Sequence, residues 1–200
     1  MITKISSGPG RPRGFDPEAA LALGQQMFHA RGYDAVGLAA LTEAIGIKPP
    51  SFYKAFGSKA EFFTRILERY SRSVLALESI LLPGRPAVEA LAELLERAAE
   101  TYARDPQQLG CLVLEAARGC ADEESAIMAR RAAEQRRSQI RAFVALTNPA
   151  AADAVTDYVA SVMSGLSASA REGMSAARLT MVARAATEGM KALLAPPADV

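Results

Sequence analysis

The sequence predicts an all-α protein of about nine helices. Three observations carry that expectation. Apolar residues recur three and four positions apart along most of the 200 residues, no stretch sustains the alternation of a β-strand, and Pro, Gly and Asx-Pro pairs fall where helices should stop. With 50% hydrophobic and 22% charged residues, the chain can bury a core as one compact unit or two small ones.

Taken in order, Asp16-Pro17-Glu18 supplies an N-cap, a first-turn proline and an acid, followed by Ala20, Leu23, Met27 and Phe28 on one face and a stop at Gly32. Two very short helices follow between Gly37 and Phe56. A long helix is expected from Ser58 to Leu82, with Phe63, Ile66, Leu67, Tyr70, Val74, Leu77 and Leu81 at helical spacing before Pro83-Gly84. Val88, Leu91, Leu95, Ala98 and Tyr102 form the next stripe, closed by Asp105-Pro106. A short apolar helix is expected from Cys111 to Arg118, and a longer one from Asp122 to Thr147 with acids early and arginines late, as the helix dipole favours. Asn148-Pro149 starts a helix reaching Arg171, and Ser175 starts the last, which ends before Pro196-Pro197. No internal repeat is visible.

Charge and cysteine content narrow the function classes. The totals are 23 Lys plus Arg, 22 Asp plus Glu and one His, a formal net charge of +1. Up to Ala60, however, seven basic residues face four acidic ones, a net +3, and the remainder carries −2, so the positive excess sits at the N-terminal end. Cys111 and Cys120 are too few for a disulfide scaffold, the N-terminus lacks the apolar core of a secretion signal, and no apolar run approaches a membrane span. The expected address is the cytoplasm. With one histidine there is no paired-His metal site, no Glu-x-x-His repeat and no Gly-rich phosphate loop beside a strand, so neither an enzyme, a metal nor a cofactor is expected. That histidine, His29, reads as a surface or edge residue.

The segment Gly37 to Phe56 carries the function. Leu38, Leu41 and Ile45 give a short apolar face, Gly46 permits a reversal, Ile47 anchors it, and Pro49-Pro50-Ser51 opens a second short helix. This is the pattern of a helix-turn-helix, whose second helix enters the major groove; an ordinary helical hairpin shares it. Arg11, Arg13, Tyr53, Lys54 and Lys59 suit phosphate contact.

Four runs in this region resemble a known family: Gly10-Arg11-Pro12-Arg13-Gly14-Phe15-Asp16-Pro17, Phe28-His29-Ala30-Arg31-Gly32-Tyr33, Leu41-Thr42-Glu43-Ala44-Ile45-Gly46-Ile47, and Ser51-Phe52-Tyr53-Lys54-Ala55-Phe56-Gly57-Ser58-Lys59. Their order and content resemble the DNA-binding domain of TetR/AcrR-family transcriptional regulators. The resemblance is strong to about residue 65 and then rests on helix count and on Gly110-Cys111-Leu112, a segment similar to a subgroup of these repressors. It implies a helix-turn-helix domain over 1–57, a ligand-binding and dimerisation domain over 58–200, and dimerisation through the last two helices. Expected DNA contacts are Arg11, Arg13, Thr42, Lys48, Pro49, Ser51, Phe52, Tyr53, Lys54 and Lys59, with Phe52 available to a thymine methyl only if the core does not need it. Two departures stand out. Gly37 replaces the Ser or Thr that many relatives carry at the start of the second helix, and Pro49 replaces a polar residue at the head of the recognition helix.

In the C-terminal body, small residues (Ala154, Ala160, Ser161, Ser164, Gly165, Ala168, Ala183, Ala186, Gly189) are interleaved with Val155, Tyr158, Val162, Leu166, Leu179, Val182 and Met190. Two such helices from each of two subunits would build a four-helix interface, and a homodimer would set two recognition helices ~34–36 Å apart on a near-palindromic double-stranded operator. A single self-contained core is the alternative. A small-molecule pocket is expected among Phe63, Ile66, Leu67, Tyr70, Tyr102, Leu109, Cys111, Leu112, Glu115, Met128, Arg136 and Phe143. Arg136 lies on an apolar helix face and needs an anion: an internal carboxylate such as Glu115, an acidic ligand, or escape to solvent. Cys111, near a helix start, suits either packing or a thiolate that senses electrophiles. The chain is therefore expected to be a repressor released from DNA by a small molecule. The alternatives are an electrophile sensor acting through Cys111 and a helical ligand-binding dimer without operator recognition.

Overall fold

The computed structural model describes residues 15–195. Asp16 caps the first helix by accepting from the Glu18 N–H at 2.9 Å, and Pro17 opens it where no amide donor is required. The helices are α1 (Pro17–Arg31), α2 (Leu38–Ile45), α3 (Pro49–Phe56), α4 (Lys59–Ser73), α5 (Ala87–Tyr102), α6 (Leu112–Gly119), α7 (Glu123–Ala145), α8 (Ala152–Arg171) and α9 (Ala176–Leu194). Single 3-10 turns lie at Leu77–Ser79 and Pro149–Ala151, the second where Asn148-Pro149 announced a helix start. The described residues contain no strand. The expected all-α fold is observed, and none of these helices is long and apolar enough to cross a membrane.

One element differs from expectation. The helix that begins at Ser58 stops at Ser73 instead of running to Leu82. Its start is secured by a capping box, the Ser58 hydroxyl accepting from the Glu61 N–H at 3.0 Å while the Glu61 carboxylate accepts from the Ser58 N–H at 2.6 Å. At its end the Ser73 hydroxyl bonds back to the Arg69 carbonyl, Val74 turns extended, and Leu75 takes the left-handed conformation at φ 52°. The apolar spacing continues through the break, so periodicity does not reveal it. The turn that follows buries Leu77 and Ile80, and Arg136 on α7 takes up the freed Ser71 and Leu75 carbonyls at 3.1 and 2.8 Å.

Packing divides the chain into a head and a body that share α4. In the head, α1, α2 and α3 close over the first half of α4 through rings: Phe52 and Phe56 stand 5.1 and 4.6 Å from Phe62, and Phe28 stands 5.1 Å from Phe63. In the body, α5 lies along α8 and α9, and α7 packs against α4, α6 and α8.

Two polar ties bind head to body. The Asp34 carboxylate accepts from the N–H groups of Ala121 and Asp122 at 2.8 and 3.3 Å, at the start of α7. The second tie is the link between α5 and α6. Here His29, expected at the surface, is only 5% exposed, and its Nε2–H donates to the Gly110 carbonyl at 3.2 Å. Burial holds its pKa below the usual imidazole value, which favours the neutral ring. Arg171 on α8 donates to the Leu109 carbonyl at 3.0 Å, and the Gly110 N–H donates to the Tyr102 carbonyl at 2.8 Å.

Gly110 has φ +78°, and a Cβ there would stand 3.0 Å from the Ser167 carbonyl oxygen. Gly110→Ala is therefore expected to lower the unfolding free energy by about 2–4 kcal/mol, read from urea titrations.

Candidate functional site

The candidate DNA-reading face is built on α2 and α3. Gly46, in the left-handed conformation, ends α2 and lets the chain reverse, and the Ile47 N–H donates to the Thr42 carbonyl at 3.0 Å. Gly37 occupies the N-cap of α2 with no side-chain bond, as its lack of an oxygen requires. Lys48 is the N-cap of α3 and is exposed, as are Pro49, Ser51, Tyr53 and Lys54. The two prolines remove the first backbone donors of α3, which weakens the helix N-terminus as an anion site and leaves contacts with DNA to side chains.

Three expected contact residues are placed differently. Phe52 is fully buried between Phe56 and Phe62, so the core does need it and no thymine methyl can reach it. Thr42 is also buried, and its hydroxyl donates to the Leu38 and Ala39 carbonyls of its own helix, both at 3.0 Å. Lys59 directs its ammonium inward, donating to the Tyr33 carbonyl at 2.8 Å and standing 3.9 Å from the Tyr33 ring centre. Burial lowers its pKa from the usual lysine value. Arg11 and Arg13 lie outside the described residues.

In the body, a cavity of about 230 Å³ opens among α5, α6, α7 and α8. Of the residues expected there, Tyr102, Cys111 and Arg136 line it. The others are distributed elsewhere. Phe63, Leu112 and Glu115 border a separate cleft of about 310 Å³ beside α1, and Leu67 and Met128 border one of about 350 Å³ on the far side of Arg136. Ile66 and Phe143 are core residues, Tyr70 is buried beside Cys111, and Leu109 is half-buried with its carbonyl on Arg171. Leu77, Val113, Ile140, Ala160, Met163 and Ser164 complete much of the wall. Of these, the sequence pattern assigns Ala160 and Ser164 to the dimer face and Leu77 to a continuous helix. Only the break after α4 turns Leu77 toward the cavity.

The polar groups on and near this wall are tightly arranged. The Cys111 N–H donates to the Ser167 hydroxyl at 2.9 Å, which in turn donates to the Glu115 carboxylate at 2.7 Å. Glu115 is further engaged by Arg118 at 3.6 Å and Arg171 at 3.8 Å, so it does not serve as the partner of Arg136. The Cys111 thiol is buried. Cys120 lies at the other end of α6, ~13 Å away by helical rise, so a disulfide between the two cannot form while α6 is folded. Burial, with Asp34 and Asp122 nearby, pushes the Cys120 thiol up to about 11. No group of His, Cys, Asp and Glu suited to a metal ion occurs among the described residues.

The different roles of neighbouring residues on α3 can be measured. Phe52→Ala is expected to destabilise the fold by about 3–5 kcal/mol in denaturant unfolding, whereas Tyr53→Phe, at an exposed position, stays within about 0.5 kcal/mol of the parent.

Comparison with known proteins agrees with this geometry. Residues 20–66 match the profile of "Bacterial regulatory proteins, tetR family". The chain is 42% identical over 198 residues to the HTH-type transcriptional repressor BdcR of Escherichia coli (strain K12), covering 97% of this chain and 99% of that one. It is 28% identical to the HTH-type transcriptional repressor ComR of the same organism, over 90% of each chain. Among solved structures, a cysteine-substituted form of the TetR family regulator CifR complexed with 26-bp double-strand operator DNA superposes with a TM-score of 0.75 at 33% identity, over 89% of this chain and 98% of the other. This chain therefore belongs to the TetR family of helix-turn-helix transcriptional regulators, proteins that act as dimers on operator DNA and respond to small molecules.

Proposed function

We propose that the chain is a homodimeric repressor that a small molecule releases from a near-palindromic operator. The observation that carries this reading is the exposed set Lys48, Ser51, Tyr53 and Lys54 on α3, presented by a rigid aromatic head that is tied to a cavity-bearing body. The repressor role is supported by the similarity to BdcR and ComR, both HTH-type transcriptional repressors. Residues 1–57 form the DNA-binding unit and 58–200 the sensing and dimerising unit, with α4 as the lever between them. A cytoplasmic location follows from work on the chromosome.

The dimer face is the outward stripe of Met181, Val182, Ala185 and Leu193 on α9, beside Ala154, Ser161 and Gly165 on α8. Small side chains there let partner helices approach closely, and Met181 and Val182, 71% and 48% exposed, supply apolar area. Val155, Leu166, Leu179 and Met190, which the sequence pattern places on that face, are buried within the chain's own core.

A gel shift against the gene's own upstream DNA tests the reading. The expected result is a retarded complex whose affinity falls steeply with salt. Lys54→Ala is expected to weaken binding evenly across sequences and to reduce the slope of log K against log salt by about 1 per subunit. If no specific complex forms, the chain is a helical ligand-binding dimer without operator recognition.

A second reading rests on Cys111, whose thiol borders the cavity at the start of α6 with its N–H held by Ser167. A small electrophile entering the cavity would alkylate that sulfur and displace the packing around it. Iodoacetamide is expected to release wild-type protein from its DNA but not the Cys111→Ser variant; equal release from both removes the sensing role.

A further inference from the structure

The cavity between α5 and α8 has a chemical bias that its volume and shape alone do not express. At about 230 Å³ it is smaller than pockets that hold drug-sized ligands and has room for roughly eight water-sized groups. Much of its wall is apolar, from Leu77, Val113, Ile140 and Met163. The Tyr102 hydroxyl, fully buried on the same wall beside the weakly bonding Cys111 thiol, has no nitrogen or oxygen hydrogen-bond partner among the described residues. A buried hydroxyl left in that state is uncommon, because its desolvation is uncompensated.

The charges on the wall point one way. Arg136 and Arg137 both line the cavity, and no carboxylate does. Arg137 is matched outside the cavity by Asp157 and by Glu134 at 3.4 Å. Arg136 has no carboxylate within ion-pair distance among the described residues. Glu68 and Glu78 border the cleft on its other side without pairing to it, and its donors go to the Ser71 and Leu75 carbonyls. Two neutral acceptors leave further guanidinium donors and a half-buried positive charge unmatched.

We propose that this cavity binds a small organic monoanion, a compact carboxylate, with the Tyr102 hydroxyl and the Arg136 guanidinium donating to its oxygens and its hydrocarbon part lying against Val113, Ile140 and Met163. The proposal rests on the reading of the chain as a ligand-released regulator and names the chemical class of the ligand. A neutral molecule of the same shape satisfies the hydroxyl but leaves the guanidinium unmatched, which is the basis of discrimination.

Calorimetric titration of the full-length protein without DNA tests this, with propanoate, butanoate, hexanoate and benzoate as probes and their primary amides as neutral isosteres. At least one carboxylate is expected to bind saturably with a Kd on the order of 1 mM or tighter, and its amide ~10-fold more weakly or not at all. Tyr102→Phe, which keeps the ring and its packing, is expected to lose ~10-fold in carboxylate affinity. Arg136→Gln is expected to lose at least as much, and Arg136→Lys, which keeps the charge, to retain part of it. The proposal is overturned if no carboxylate gives saturable heat, if an amide binds as tightly as its acid, or if Tyr102→Phe binds as wild type does. Adding the bound carboxylate to the DNA complex separates the two levels. Binding without DNA release leaves the anion site standing and removes the ligand-released repressor reading.

Discussion

The link between α5 and α6 is the constraint on which the arrangement of head and body depends. Within Leu109, Gly110 and Cys111, backbone groups meet a histidine from α1, a serine and an arginine from α8, and the last turn of α5. Close backbone approach of this kind requires a glycine, since any side chain at Gly110 would meet the Ser167 carbonyl. Because His29 belongs to the head and Cys111 borders the cavity, this short stretch connects the head to the cavity-bearing body through directional bonds, not through apolar contact alone. Those bonds form a continuous physical route between the cavity wall and α1.

The head shows how few residues remain available for recognition once the fold is satisfied. Helices as short as α2 and α3 are not stable alone, so their inward faces must be filled with rings, and Phe52 and Phe56 are used there. What is left exposed is the outward face of α3, where two prolines have removed backbone donors. Lys59 illustrates the same competition. Its position beside a helix start suggests phosphate, but the Tyr33 carbonyl and ring hold its ammonium, and a carboxylate from the capping box already occupies that helix end.

In the body, Arg136 joins two features that look separate along the chain. It closes the broken end of α4 by taking two carbonyls and at the same time forms part of the cavity wall. Its angular position on α7 was legible from the periodicity of Ala129, Ala133, Ile140 and Val144, and so was the need for a partner. That the partners are backbone carbonyls was not legible, because they exist only where α4 stops, and the apolar spacing runs through that stop without a change. Tyr102 and Cys111 were also legible as wall residues, while Ala160 and Ser164 were not, since a small residue on a helix signals close approach without saying of what.

By itself the sequence determined the all-α class, the C-terminal end of each helix except α4 to within about three residues, and the helix-turn-helix with its family. These depend on interactions between residues a few positions apart, which a linear pattern records directly. The tertiary structure decided which apolar residues became core, cavity or dimer face, the burial of His29, Thr42 and Phe52, and the early end of α4. Those outcomes depend on groups far apart in sequence, His29 with Gly110, Cys111 with Ser167 and Arg136 with Leu75, competing for the same buried space and the same hydrogen bonds. No local spacing encodes the winner of that competition.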